Sequence, residues 1–171
     1  MLTAVGAAII AAVASLAGVT LGALVEPWKL NAARRAKLRQ DRADRCAGFI
    51  EAAVRARQHN IDLNVIHRRR KIGELPEEDD ERTAGYEDSY YVARAQMRSF
   101  FGLLVMSGPD ELVDQARVVR QRDLDLHVVR LEVEDGGGFD RMNLPSVVRK
   151  AAGAVDRAIE EFALVARKHT S

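Results

Sequence analysis

Residues 2–25 read LTAVGAAIIAAVASLAGVTLGALV, with no charged side chain, and Glu26 ends the run. The run is 24 residues long, roughly 36 Å as an α-helix, against about 30 Å of hydrocarbon in a bilayer. It predicts a single transmembrane helix, with residues 1–26 as a membrane anchor. Ten of its residues are Leu, Ile or Val; at about 0.3–0.6 kcal/mol each they favour insertion by roughly 3–6 kcal/mol. Glycine and hydroxyl side chains erode that margin. Ala14, Gly18 and Gly22 recur every fourth position, beside a second row of Ala7, Ala11 and Ser15. Small residues let two backbones approach in lipid, where packing drives association. The row Ala14, Gly18 and Gly22 is therefore a candidate helix-packing face for a homo-oligomer formed through the anchor.

Only Met1 precedes the span, whereas Lys29, Arg34, Arg35, Lys37, Arg39, Arg42 and Arg45 follow it. A cleaved signal peptide has the opposite order, with its basic residues first. Basic residues close behind a span stay on the cytoplasmic side. The expectation is an inner-membrane, single-pass protein with its N-terminus outside and its C-terminal domain in the cytoplasm. Trp28 falls where interfacial aromatics sit. Trp28, Lys29, Arg35, Arg39 and Arg42 are the candidate membrane-interface residues, with lipid headgroups as partner. Pro27 disfavours a helical residue before it, so a bend is expected at Glu26-Pro27.

Residues 26–47 carry seven basic and three acidic side chains, and residues 48–171 carry 19 and 22. The whole chain is near neutral at +1. That balance does not describe a globally basic nucleic-acid binder. Cys46 is the single cysteine, so no intramolecular disulfide forms, consistent with a reducing compartment.

Beyond the anchor the periodicity is helical throughout. Residues 28–72 read as one long helix, with residues 27–45 as a basic stalk. Cys46, Ile50, Ala53, Val54, Ile61 and Val65 form its apolar stripe. The segment HRRRK, 67–71, followed by Gly73, is a helix stop. The acidic run Glu77 to Glu81 is a solvated turn, because its spacing lacks the alternating ligands and central Gly of a calcium loop. A second helix over about 83–106 carries Tyr86, Tyr90, Ala93, Met97, Phe100 or Phe101, and Leu104 at steps of three and four. Pro109 opens a third helix over about 109–134, with Leu112, Ala116, Val119, Leu126, Val129 and Val133 inward. Its segment 124–134 also alternates like a strand, but no second strand exists to pair with it. Gly136, Gly137 and Gly138 end it, without the Gly-Lys-Ser/Thr of a phosphate loop. Pro145 opens a fourth helix with Leu144, Val148, Ala151, Val155, Ala158, Phe162 and Val165 as its seam. The expected fold is all-α: one transmembrane helix followed by an antiparallel bundle of three to four helices, the first one long, over residues 46–171. Short connections favour antiparallel neighbours. HRRRK, the acidic run and the Gly136–Gly138 loop would then meet at the distal end as a mixed-charge tip, a candidate partner surface.

No catalytic constellation is present in the sequence. His59, His67, His127 and His169 show neither Glu-x-x-His nor His-x-x-x-His spacing, and no Ser lies in a Gly-x-Ser-x-Gly elbow. His127 and Asp123, four apart, read as a surface hydrogen bond. Cys46, on an apolar face, reads as a small buried hydrophobe. No catalytic, cofactor or metal residue is assigned, and the chain is expected to be no enzyme.

The order of anchor, stalk NAARRAKLRQDRADRC (31–46) and Ala/Arg-rich helical domain resembles the small N-terminally anchored proteins of actinobacterial chromosomes, plasmids and phages, among them KilB-type plasmid proteins associated with conjugative spread. The resemblance lies in layout, so it carries over no functional residue. The expected function is that of a non-enzymatic membrane-anchored interaction or scaffold protein, with an unknown protein partner and nucleic acid disfavoured. The alternatives are a plasmid or phage accessory factor contacting lipid or DNA, and a small pore-forming or lysis-related membrane protein.

Overall fold

The computed structural model describes the backbone of residues 2–71, 73, 80–136 and 144–170, and the side chains of 28–70, 73, 83–132 and 144–170. Four α-helices follow one another: α1 (Leu2–Lys71), α2 (Asp80–Ser107), α3 (Asp110–Gly136) and α4 (Ser146–Thr170). No strand occurs among the described residues. The chain divides into two compact units, Met1–Gln40 and Asp41–Ser171.

The helix ends follow local chemistry. Gly73 takes φ 72° and donates its N–H to the Arg70 carbonyl at 3.0 Å, the left-handed cap that only glycine adopts without strain. The Pro109 carbonyl accepts the N–H groups of Leu112 and Val113, and Asp110 and Glu111 place negative charge in the first turn of α3. Arg167, Lys168 and His169 occupy the last turn of α4, where cations are favoured.

In the second unit the helices form an antiparallel up-down ring. On the α1–α4 side, Arg57 Nη2 donates to Asp156 Oδ2 at 2.6 Å, and Arg42 Nη1 donates to the His169 carbonyl at 3.0 Å. Between α1 and α2, Arg55 donates to Gln96 at 2.7 Å and Arg70 to Thr83 at 3.1 Å. Arg94 pairs with Asp123 across α2 and α3, and Glu111 meets His169 and Lys168 across α3 and α4. In the pairs α1–α4 and α1–α2, rising numbers on one helix meet falling numbers on the other.

The main core runs through all four helices and includes Phe49, Met97, Leu112, Val119, Leu126 and Phe162. The Phe49 and Phe162 rings lie 4.8 Å apart at 51°. A smaller cluster joins Ala56, Leu63, Tyr90 and Ala93. Ala52, Ala53 and Ala56 keep the α1 side shallow, which lets aromatic rings from the neighbouring helices fill the interior.

Several expectations are corrected. Helix α1 continues through Pro27, so the helices expected over 1–26 and 28–72 are one element; proline removes one donor from the ladder without ending it. Its inward face centres on Phe49, while Val54 is 49% exposed. That register follows from the ring contact with Phe162, which a stripe counted from Cys46, Ile50 and Val54 does not capture. Residues 124–132 are helical, as the absence of a partner strand requires. Val133, the acidic run at 77–79 and Gly137–Gly138 lie outside the described residues or side chains, so of the expected distal tip only residues 67–70 have described side chains, with Arg68 buried and Arg70 donating to Thr83.

Candidate functional site

The most chemically distinctive surface lies between α2 and α3. Arg94, Met97 and Arg98 from α2 face Arg117, Arg120 and Leu124 from α3 around an open groove of about 180 Å³. Local periodicity explains the convergence. Arg94 and Arg98 are one turn apart on α2, and Arg117, Arg120 and Leu124 step by three and four on α3. The two helices are joined by only Gly108 and Pro109, so their adjacent flanks are held side by side.

Two of the four guanidiniums are balanced by carboxylates. Arg94 Nε stands 2.8 Å from Asp123 Oδ2, and Arg117 Nη1 stands 2.6 Å from Asp114 Oδ1. Among the described residues Arg98 and Arg120 have no carboxylate partner. The Arg120 guanidinium instead lies 4.4 Å from the centre of the Phe101 ring, a cation–π contact. Burial, and then the like charges of Arg98 and Arg94, push the Arg120 pKa down, against the Asp123 carboxylate, which pushes it up. Arginine keeps its proton in proteins, so the groove holds several cations whose charge Asp123 and Asp114 offset in part.

Exposed apolar side chains lie along the same flanks of α2 and α3. Tyr91 and Val105 are exposed on the same side of α2 as Arg98, and Leu124, Val128 and Leu131 form an exposed stripe on α3 at steps of four and three. Tyr90 stacks on His127, with ring centres 5.2 Å apart. Their sequence neighbours Tyr91 and Val128 therefore lie at one level across the groove.

Asp123, which pairs with Arg94 at the groove, is 1% exposed; Asn60, Asn64, Arg68 and Arg130 are further buried polar side chains of the bundle. Desolvation raises the Asp123 pKa, opposed by Arg94. The Arg94–Asp123 approach is a charge contact and not a straight hydrogen bond, since its short distance comes without hydrogen-bond alignment. Desolvation, then Arg130 and Arg94, push His127 down to about 4. Desolvation and Asp123 push the Tyr90 phenol up. The expected surface hydrogen bond between His127 and Asp123 is thus corrected: Asp123 is buried and paired with Arg94, and His127 packs on Tyr90. A signal for this was present. Continuing the α3 seam through Leu112, Ala116 and Val119 by steps of four and three lands on Asp123, Leu126 and Arg130.

A second groove, of about 270 Å³, lies between α1 and α2 and includes Arg55, His59, Asp88 and Gln96. Its charges are mixed. Cys46 is buried, and its thiol pKa is raised by desolvation; it packs as a small hydrophobe. Among the described residues no group of three or more His, Cys, Asp or Glu is placed to hold a metal ion.

Of the interface residues expected from sequence, Trp28 is 80% exposed, and Lys29, Arg35 and Arg39 are exposed in the first unit. Arg42 is half-buried in the second unit, bonded to the His169 carbonyl. The side chains of Ala14, Gly18 and Gly22 lie outside the described residues. Among the described residues no helix is long and apolar enough to cross a membrane. The apolar stretch 2–25, on which the anchor reading rests, lies outside the described side chains.

No family model, curated protein or solved structure matches the chain.

Proposed function

We propose that the chain is a non-enzymatic interaction module, held at the inner membrane by residues 2–25, with its helical bundle in the cytoplasm. The arginine groove between α2 and α3 is its partner-binding surface. The observation that carries this reading is the pair Arg98 and Arg120, two cations that form no salt bridge among the described residues, although Asp123 acts on Arg120 from farther away, set beside an exposed apolar stripe. A domain of this size gains nothing in stability from like charges held together or from apolar side chains left in water. Such a combination is what a binding surface requires.

The anchor reading rests on the uncharged span and on the basic residues behind it. Exposed Trp28, Lys29, Arg35 and Arg39 suit contact with headgroups and anionic lipid, at about 1 kcal/mol per basic residue.

Two measurements test the reading. A C-terminal alkaline phosphatase fusion should be inactive and a fluorescent-protein fusion bright, with both in the membrane fraction. An active phosphatase overturns the orientation. A photo-crosslinking residue at Val128 should join the full chain to another protein in intact membranes, while one at Val147, on α4, should not. Equal yields at the two positions, or none at either, overturn the groove as the binding surface.

A further inference from the structure

The occupant of the groove can be specified further from its pattern. Tyr91 and Val105 lie roughly 21 Å apart along α2, about four helical turns, and the basic groove lies between their levels. Tyr91, Val128 and Leu131 are exposed toward one end of this stretch, and Val105 toward the other. In the middle, Arg98 and Arg120 stand over a floor of Met97 and Leu124.

We propose that this groove binds an acidic amphipathic helix of a partner protein, with the helix's apolar face on Val128, Leu131 and Leu124 and its carboxylates on Arg98 and Arg120. The proposal rests on the interaction-module reading and deepens it by naming the chemistry of the partner. Three features select this occupant. Guanidinium forks match carboxylates bidentately, and two of the four here have no carboxylate partner among the described residues. The exposed stripe steps by three and four, which is the spacing that receives one face of an α-helix. Residues 48–171 carry 22 acidic against 19 basic side chains. The full chain is near neutral at +1, so it offers no extended basic surface to a long phosphate polymer, whereas a short segment with patterned carboxylates needs only the local positive groove. A carboxylate between Arg98 and Arg120 also offsets their mutual repulsion, beyond the offset that Asp123 supplies at Arg120.

The test uses the full chain in detergent micelles and a synthetic helix of four turns, with Leu on one face and Glu along its flanks. A peptide of the same composition in scrambled order is the comparison. The patterned helix should bind at least about tenfold more tightly than the scrambled one. Arg98→Glu with Arg120→Glu should weaken it by about tenfold or more, and so should Val128→Ser with Leu131→Ser. A patterned helix with Lys in place of Glu should bind the Arg98→Glu/Arg120→Glu chain better than the parent, which separates lost charge from lost folding. Equal binding of the scrambled peptide overturns the proposal. Equal displacement by inorganic phosphate, duplex DNA or anionic vesicles does the same, by making the site a general anion site. Self-crosslinking of the chain through a cysteine at Val128 also overturns it, since the occupant would then be a second copy. If Val128 crosslinks a protein in membranes but the patterned helix does not bind, the module reading stands and the helix proposal falls.

Discussion

Arg94 Nε lies 2.8 Å from Asp123 Oδ2, with the Asp123 side chain 2% exposed and the Arg94 side chain 22% exposed. The pair ties a buried carboxylate of α3 to the arginine groove. Removing only the carboxylate leaves Arg94 as a further uncompensated cation beside Arg98 and Arg120. Asp123→Ala is expected to cost about 3–5 kcal/mol, the usual penalty for breaking a buried pair from one side. Replacing both partners, as Asp123→Leu with Arg94→Met, should cost much less, because no charge is stranded. Denaturant unfolding of the full chain in detergent measures both. A double variant as unstable as the single one would mean that Asp123 acts through something other than Arg94.

His127 makes stability depend on pH in a predictable direction. Its folded pKa of about 4 lies below the ordinary 6.5. Between those values the unfolded chain binds a proton that the folded chain does not, so stability rises with pH through that window and falls on acidification. The slope from one such group is at most about 1.4 kcal/mol per pH unit. Asp123 opposes it, because its raised pKa lets the folded carboxyl take up a proton before the unfolded one does. His127→Phe keeps a ring against Tyr90 and removes the titration. Melting temperature against pH from 6.5 down toward about 4 should fall less steeply in the variant than in the parent. A steeper fall would reverse the sign assigned to His127.

Gly48 sits under the Phe100 ring, where an added Cβ would overlap ring carbons. In a helix interior, Gly→Ala alone stabilises by about 1 kcal/mol. Overpacking costs about 1–3 kcal/mol, so Gly48→Ala should be neutral to destabilising, by up to about 2 kcal/mol. In a Phe100→Ala background the overlap is gone, and the same substitution should stabilise by about 1 kcal/mol. The comparison is a double-mutant cycle on melting temperature. The same gain in both backgrounds would mean that Phe100 does not cover Gly48.

The seams of α2 and α4 were legible from sequence because their inward positions are apolar at each step. Tyr90, Met97, Leu104, Val148, Val155 and Phe162 are all buried. The α1 seam is not legible at Val54 because Ala52, Ala53 and Ala56 give little contrast between its faces; contacts to other helices, among them the Phe49–Phe162 rings and Arg57–Asp156, fix the register. The groove was not legible for a different reason. Arg94 and Arg98 on α2 and Arg117 and Arg120 on α3 each look like ordinary solvated residues on their own helix. Their convergence depends on the facing of two helices, which periodicity within one helix does not encode. Asp123 was legible in principle, since it occupies a seam position, but a charged residue there reads as an interruption of the stripe until Arg94 is placed beside it.

The ring order of the helices yields the last prediction. Arg42 meets His169, Phe49 meets Phe162 and Arg57 meets Asp156. Each step forward on α1 is a step backward on α4, so the two are antiparallel neighbours over four turns. Cys46 and Val165 fall at the same level, yet both are buried and poorly reached by a reagent. Arg57 and Asp156 offer a more accessible pair, with side chains 26% and 45% exposed. In a Cys46→Ser background, Arg57→Cys with Asp156→Cys should be joined within one chain by a short bis-maleimide. Arg57→Cys with Lys168→Cys is the control. Asp156 and Lys168 are twelve residues apart on α4, roughly 18 Å along its axis, beyond such a linker's reach from Arg57. Joining of the control without the test pair would mean that α4 runs in the other direction. The groove between α2 and α3 would then have to be rebuilt, because its registry depends on the same ring.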